Sequence, residues 1–151
     1  MLLVSFICYG AIAFISLVFG AIYLTRSEFM PYHSLALGKS WSGVEPETQT
    51  LILALMRVAG SGFIASGLAA IALLGIALKT GEVRAIYAIF PICLSTSLGS
   101  GYATLLVKRR TPGNPPFKLS LATIILSIVG FLSSLGRSNL DTVLDNWRSL
   151  F

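Results

Sequence analysis

The sequence predicts an all-α membrane protein, a four-transmembrane-helix bundle with a long first loop and an interfacial C-terminal helix. Of its 151 residues, 55% are hydrophobic and 11% are charged, whereas soluble domains carry about 25% charged residues. The mean hydropathy is +0.83, and a soluble fold of this length cannot bury so much apolar surface. The apolar residues also form four runs, each long enough to cross a hydrocarbon core of about 30 Å.

The four runs define the predicted membrane spans of a single domain, residues 1–151. They cover about residues 2–24, 46–78, 85–107 and 119–135. The first run carries no charge and lacks the basic start of a cleaved signal peptide. Pro46 predicts the start of the second, because proline fits the first turn of a helix and the neighbouring Glu47 complements the helix dipole. Gly136 is predicted to end the fourth.

The connections between the spans differ in length and charge. Residues 25–47 form the longest loop, and its spaced aromatic side chains favour a short helix along the membrane surface. Residues 108–118 carry four basic side chains and three prolines, which predicts a turn. We expect this basic turn and the long loop to meet on one face, with Arg57 beneath them. Residues 139–151 place apolar side chains at helical spacing, which predicts an amphipathic interfacial helix, with a frayed polar tail as the alternative.

The distribution of Lys and Arg predicts the orientation, because basic residues resist translocation. The two loops after the first and third spans carry six of these residues, against four on the other side. Both termini are therefore predicted to lie outside and the two longer loops in the cytoplasm. The net charge of +5 is assigned to these loops and not to a nucleic-acid surface, because the basic residues form no continuous stripe.

Few residues suggest reaction chemistry. Cys8 and Cys93 are isolated in apolar runs and are interpreted as packing residues. His33 is the only histidine, which excludes bis-histidine haem and polyhistidine zinc sites within one chain. The sequence contains no catalytic or nucleotide-binding motif of a known kind. No catalytic residue, cofactor or metal is therefore predicted.

A candidate polar or anion site comprises Arg57, His33, Tyr32 and Glu47. Arg57 is the only formal charge inside a hydrophobic run, and a charge in a membrane helix is by default a functional hypothesis. Either Arg57 reaches the interface or a structural ion pair, or it forms a buried anion or headgroup site with the loop above it. His33 could handle protons there, because imidazole titrates near neutral pH. A histidine hydrogen-bonded within a surface loop is the alternative.

Small residues at four-residue intervals predict helix contacts, because they let backbones approach closely in lipid. The second span carries Gly62, Ser66 and Ala70, and the third carries Ser97 and Gly101. The third span is also rich in hydroxyl groups, which could bond to neighbouring helices or line a narrow polar path. The apolar part of each span lacks acidic residues, so a carboxylate-based proton or cation site is not expected.

Three segments carry a resemblance to known proteins. They are residues 29–33 (FMPYH), 55–60 (LMRVAG) and 111–116 (TPGNPP). Together they resemble a group of small bacterial four-helix membrane proteins for which no activity is known. The resemblance covers most of the chain, implies a location in the bacterial inner membrane and transfers no functional residue.

Three functions fit these observations. The first is a subunit or scaffold of a membrane assembly, which contacts lipids and either a second copy or another membrane protein through its small-residue stripes. The second is a transporter or channel-like protein for a small solute or lipid, suggested by the hydroxyl groups, Pro91 and Arg57. The third is an enzyme that acts on a lipid headgroup, with His33 as the acid or base.

Overall fold

The computed structural model describes the backbone of residues 2–148 and the side chains of residues 2–135. Across residues 2–148 the chain is helical, without a strand. The helices are α1 (Leu2–Thr25), α2 (Pro31–Leu37), α3 (Pro46–Thr80), α4 (Val83–Arg110) and α5 (Phe117–Arg148), with one 3-10 turn at Trp41–Gly43. Four of these are long and apolar enough to cross a membrane, namely α1, α3, α4 and the Phe117–Leu135 part of α5. The all-helical class and the four long apolar helices are thus confirmed.

Proline and glycine set the ends of several helices. Pro46 is the first residue of α3. An N–H at this position would have no acceptor within the helix, so proline, which lacks one, breaks no hydrogen bond there. Gly81 ends α3 in the left-handed conformation, at a φ of 71°, and its N–H bonds to the carbonyl of Ala77. Gly38 ends α2 in the same way at a φ of 65°. Since a side chain at such a φ is strained, glycine suits both positions.

The four long helices form a ring in which each packs mainly on two neighbours. α1 packs most extensively on α3 and also on α5, whereas α4 packs on α5 and α3. Two glycines bring the backbones of α1 and α3 together. A Cβ added at Gly60 would lie 3.0 Å from the carbonyl oxygen of Gly20, and one at Gly67 would lie 3.1 Å from that of Ala13. This is the close approach that small residues permit between helices.

The buried core lies at the end of the bundle where α3 turns into α4. Its members are Tyr9, Ile12, Ala13, Ala70, Leu74, Ala77, Ala85, Ile86, Ile89 and Cys93. Two buried hydrogen bonds connect α1 to α5 at this level. Ser5 Oγ donates to the backbone carbonyl of Gly130 over 2.8 Å. The Tyr9 hydroxyl donates to the backbone carbonyl of Ser127 over 3.3 Å. This end of the molecule is therefore closely packed.

The first loop folds onto the opposite end. Phe29, Val44 and Met56 are buried together and hold the loop against α3. The turn between α4 and α5 meets α2, because a Cβ at Gly113 would lie 2.8 Å from the carbonyl oxygen of Tyr32. The long loop and the basic turn therefore meet on one face, as expected.

The fourth span differs from the prediction. Gly136 does not end the helix, because α5 continues through it to Arg148. The separate interfacial helix over residues 139–151 is accordingly not observed up to Arg148, and residues 149–151 lie outside the described part of the chain. An isolated glycine costs a helix about 1 kcal/mol relative to alanine, which favourable residues on both sides can offset.

Candidate functional site

Arg57 caps the C-terminal end of α1. Its Nη1 donates a hydrogen bond of 2.8 Å to the carbonyl oxygen of Tyr23, and its Nη2 donates one of 2.8 Å to that of Arg26. The last carbonyls of a helix lack partners within it and carry the negative end of its dipole. The half-buried guanidinium of Arg57 therefore supplies hydrogen-bond donors to these carbonyls and a positive charge at the negative end of the α1 dipole. This geometry favours a structural role for Arg57, with backbone carbonyls in place of an ion-pair partner.

Two tyrosines connect α1 to the short helix α2. The hydroxyl of Tyr23, near the end of α1, is hydrogen-bonded to the hydroxyl of Tyr32, in the first turn of α2. Burial, together with this hydrogen bond, raises the pKa of Tyr32, so its hydroxyl keeps its proton at neutral pH. One of the two hydroxyl protons makes the hydrogen bond between the tyrosines, and the other hydroxyl can donate its proton to a different group.

His33 helps to begin α2. Its Nδ1 accepts a hydrogen bond of 3.3 Å from the N–H of Met30, the residue before the helix. An accepting nitrogen carries no proton, so the proton of the neutral imidazole lies on Nε2. Burial lowers the pKa of His33, which favours this neutral form. The ring packs edge-on against that of Tyr32, with 4.3 Å between the centroids. His33 is thus an uncharged group with one N–H donor, at Nε2.

An open cleft of about 440 Å³ lies between α3 and α4, and we call it the α3–α4 cleft. Tyr23, Tyr32 and His33 line it where the first loop crosses the bundle. Towards the α3–α4 turn, a hydrogen bond of 2.9 Å between the hydroxyls of Ser66 and Thr96 joins the two helices. The walls between these ends consist largely of small residues, namely Ala59, Gly62, Gly99, Ser100 and Ala103.

Two glycines explain why the cleft is open. A Cβ added at Gly62 or at Gly99 would meet nothing within 4 Å, outside its own helix backbone and chain neighbours. Beyond the Ser66 to Thr96 bond, by contrast, α3 and α4 share the buried core. The two helices are therefore packed together at the turn and separated at the first loop.

The hydroxyl groups on the α4 wall use their protons within the protein. Thr96 donates to the carbonyl of Ile92 over 2.9 Å, and Thr104 donates to that of Ser100 over 2.8 Å. Because the Thr96 hydroxyl donates its proton to Ile92, the Ser66 hydroxyl is the donor in the bond between Ser66 and Thr96. Free donors are consequently found at the Tyr23, Tyr32 and His33 end. The cleft is polar at that end and nearly apolar along its depth.

Two further spaces adjoin the cleft. The first is an inner chamber of about 70 Å³, which shares Tyr23, Tyr32 and Thr96 with the cleft. Its remaining wall carries further hydroxyl groups, those of Ser16, Ser97, Ser120 and Thr123. That volume is enough to hold water. A groove of about 400 Å³ runs between α2 and the start of α3. It is lined by Ala36, Leu37, Ile52, Leu55 and Met56, and it meets the cleft at Tyr23, His33 and Ala59.

The residues of the candidate polar site are separated by the fold. Tyr32 and His33 both line the α3–α4 cleft. Arg57 bonds to the end of α1, and Glu47 is exposed in the first turn of α3. Neither of them is among the described residues that line the cleft.

The small residues of the predicted stripes lie in different surroundings. Gly62 faces the open cleft, Ser66 bonds across it, and Ala70 is fully buried in the core. On α4, Ser97 is buried, and a Cβ at Gly101 would lie 3.3 Å from the side chain of Ile124 on α5. Of the glycines at the α1–α3 contact, Gly60 and Gly67 on α3 lie outside the predicted stripe of that helix. Their spacing of seven residues, or two helical turns, is the signal that marks them.

Tyr23 is the other residue that sequence reasoning missed. It combines a backbone carbonyl held by Arg57 with a hydroxyl bonded to Tyr32. An aromatic residue at the end of an apolar helix is common at membrane interfaces, so its position alone did not distinguish it. Among the residues with described side chains, no group of three His, Cys, Asp or Glu residues could hold a metal ion.

Comparisons with protein-family models, with curated proteins and with solved structures give no match to this chain. The resemblance to small bacterial four-helix membrane proteins therefore stays a prediction.

Proposed function

We propose that this is an integral membrane protein that crosses the bilayer four times and holds a small amphipathic molecule in the α3–α4 cleft. The observation that carries the proposal is the gradient of polarity along the cleft. Hydrogen-bond donors are concentrated at Tyr23, Tyr32 and His33, whereas the hydroxyls of Thr96 and Thr104 are satisfied by their own helix. A site that is polar at one end and apolar along its depth matches a molecule of the same pattern.

The dimensions of the cleft support a lipid-sized molecule. From Val107 at the loop end to Thr96 at the closed end, α4 rises about 16 Å, at 1.5 Å per residue. This is about half of a hydrocarbon core of about 30 Å. The cleft therefore has the depth of one leaflet, with its polar end towards the membrane surface.

The cellular setting of the proposal comes from the sequence. The excess of Lys and Arg in the two longer loops supports their location in the cytoplasm and both termini outside. The bacterial inner membrane is the location implied by the resemblance.

Filling the cleft tests the proposal. Gly62→Leu and Gly99→Leu, introduced together, place two side chains in the open space between α3 and α4. Native mass spectrometry of the protein in mild detergent is expected to show a bound lipid-like molecule on the wild type but not on this variant. Gly75→Leu is the matched control, because a Cβ at Gly75 also meets nothing within 4 Å and Gly75 does not line the cleft. Equal retention by all three proteins would contradict the proposal.

A second candidate function is the subunit or scaffold role. The observation that favours it is the set of glycines within the long helices whose Cβ positions are open, namely Gly10, Gly62, Gly75 and Gly99. A helix from a second copy or another membrane protein can approach such positions closely. The same mass spectra decide this case, because a defined oligomer or a bound protein that Gly75→Leu or the cleft-filling variant disrupts would support it. A monomer in every sample would contradict it.

A further inference from the structure

We propose that the molecule held in the α3–α4 cleft is an uncharged lipid with hydroxyl or carbonyl oxygens at its polar end, of the diacylglycerol type. The inference rests on the proposed function and adds the chemical class of the ligand.

The described lining of the cleft and the groove is free of charged side chains. Among the described residues that line the cleft and the adjoining groove, none is Lys, Arg, Asp or Glu. Arg57, the nearest charge along α3, has two of its N–H groups bonded to the carbonyls of Tyr23 and Arg26. The basic residues 108–110 follow Val107 but are exposed and do not line the cleft. A phosphate or carboxylate buried among the described lining residues would therefore meet no cation there, and an unpaired buried charge is strongly unfavourable.

The hydrogen-bonding groups at the polar end carry the second step. His33 keeps its proton on Nε2, because Nδ1 accepts from Met30. The Tyr23 and Tyr32 pair retains one further O–H proton and free lone pairs. These groups are neutral donors with hydroxyl acceptors beside them. They complement the hydroxyl and ester oxygens of an uncharged glyceride.

The shape of the two spaces carries the third step. The α3–α4 cleft and the groove between α2 and the start of α3 have similar volumes, about 440 and 400 Å³. They meet at Tyr23, His33 and Ala59, where the polar groups are. Two apolar spaces that branch from one polar point suit a lipid with two chains.

A pair of lipids that differ only in charge tests the inference. Dioleoylglycerol and dioleoyl phosphatidic acid have the same chains, and the second adds a phosphate. With both added at equal concentration to the full-length protein in non-ionic detergent, native mass spectrometry is expected to show one bound dioleoylglycerol, preferred at least tenfold. Tyr23→Phe combined with Tyr32→Phe is expected to weaken its binding about threefold to tenfold, the effect of one lost hydrogen bond.

Tyr102→Phe is the matched control, because Tyr102 is 70% exposed and lies outside the cleft. The melting temperature of each variant in the same detergent shows whether it is folded. Preference for phosphatidic acid would overturn the uncharged class while leaving the proposed function in place. Binding of neither lipid would overturn the inference, and binding unchanged by the cleft-filling variant would overturn both.

Discussion

At the scale of single residues, Arg57 shows how a charge in an apolar helix can serve the fold. It is the only charged side chain between Thr50 and Leu78, and its guanidinium bonds to two carbonyls at the end of α1. One of these carbonyls belongs to Tyr23, whose hydroxyl meets Tyr32 at the cleft. Arg57 therefore holds the backbone from which a cleft residue projects, although it does not itself line the cleft.

The first prediction concerns the loss of this cap. Arg57→Ala leaves the carbonyls of Tyr23 and Arg26 without their donors. We expect the free energy of unfolding to fall by roughly 1–3 kcal/mol, the range for hydrogen bonds to a charged group at a half-buried site. Arg57→Lys should lose less, because an ammonium keeps the favourable charge at the helix end but not the two-pronged geometry. Unfolding in mild detergent by added denaturant measures both variants.

An alternative outcome would restore the anion-site interpretation. If Arg57→Ala were as stable as the wild type and had lost an anionic lipid that the wild type retains, the guanidinium would act on a ligand and not on α1. Arg84→Ala is a suitable control, because Arg84 is exposed at the other end of the bundle.

The second prediction concerns pH. The pKa of His33 is lowered by burial from its ordinary value of 6.5, so the unfolded chain binds a proton more readily than the folded one. The stability that His33 contributes is therefore complete above pH 6.5 and declines as the pH falls towards the lower pKa of the folded state. Protonation also removes the acceptor for the N–H of Met30.

The difference in melting temperature between the wild type and His33→Gln, followed from pH 8 to pH 5, measures this effect. Glutamine at the third helical position can also accept a hydrogen bond from the residue before the helix, without titrating. The wild type should thus lose stability relative to the variant below about pH 6.5. Parallel pH profiles for the two proteins would show that His33 does not titrate differently in the folded state.

At the scale of helices, the contact between α1 and α3 depends on the absence of side chains at particular positions. The third prediction compares two glycines of α3. Gly60→Ala places a methyl group 3.0 Å from both the carbonyl of Gly20 and the Cβ of Tyr23, so the helices must move apart. We expect a loss of about 1–3 kcal/mol, as for other overpacked contacts.

Gly75→Ala provides the comparison on the same helix. Its methyl group would meet nothing within 4 Å, and alanine favours a helix over glycine by up to about 1 kcal/mol. This variant should be as stable as the wild type or more stable, in the same unfolding assay. An equal gain in stability at the two positions would mean that helix propensity outweighs the α1–α3 contact, and equal losses would mean that the close approach at Gly60 is not the cause.

The sequence predicted the helices more accurately than their contacts. Charge-free runs and proline positions gave the start of α3 at Pro46 and placed all four long helices, because length and polarity are local properties. Gly136 was misleading, since a single glycine weakens a helix without ending it. The spacing of four residues in α3 did not distinguish Ala70, which is buried in the core, from Gly62, which faces the cleft. The neighbours of Gly60 and Gly62 depend on how α3 is rotated about its axis, which only the assembled bundle determines.

At the scale of the whole molecule, the cleft could not be predicted from local patterns. The sequence did indicate a hydroxyl-rich third span and placed Tyr32 and His33 in a candidate site. It did not indicate that Tyr23 would join them, because that contact links α1 to α2 through the folding of the first loop. A cleft is a space between helices, so it follows from the angles between them and from Gly62 and Gly99 on facing walls.

The fourth prediction tests the membrane topology. Glu82→Cys and Asn114→Cys place thiols in the two turns at opposite ends of the bundle. With a membrane-impermeant maleimide on intact cells, we expect Glu82→Cys to be labelled and Asn114→Cys to be labelled only after permeabilisation. Cys8 and Cys93 are buried and give the background. The reverse pattern would overturn the orientation alone, and labelling of both from outside would overturn the four crossings.

The hydrogen bond between Ser66 and Thr96 closes the α3–α4 cleft at roughly the middle of α4. Under the proposed function, a lipid in the cleft would enter sideways from the leaflet at the loop end and would stop short of the bilayer midplane. Its occupancy would then depend on its mole fraction in that leaflet and only weakly on its concentration in the surrounding water. A protein built this way would respond to the composition of one monolayer, and the same lipid confined to the other monolayer would leave it empty.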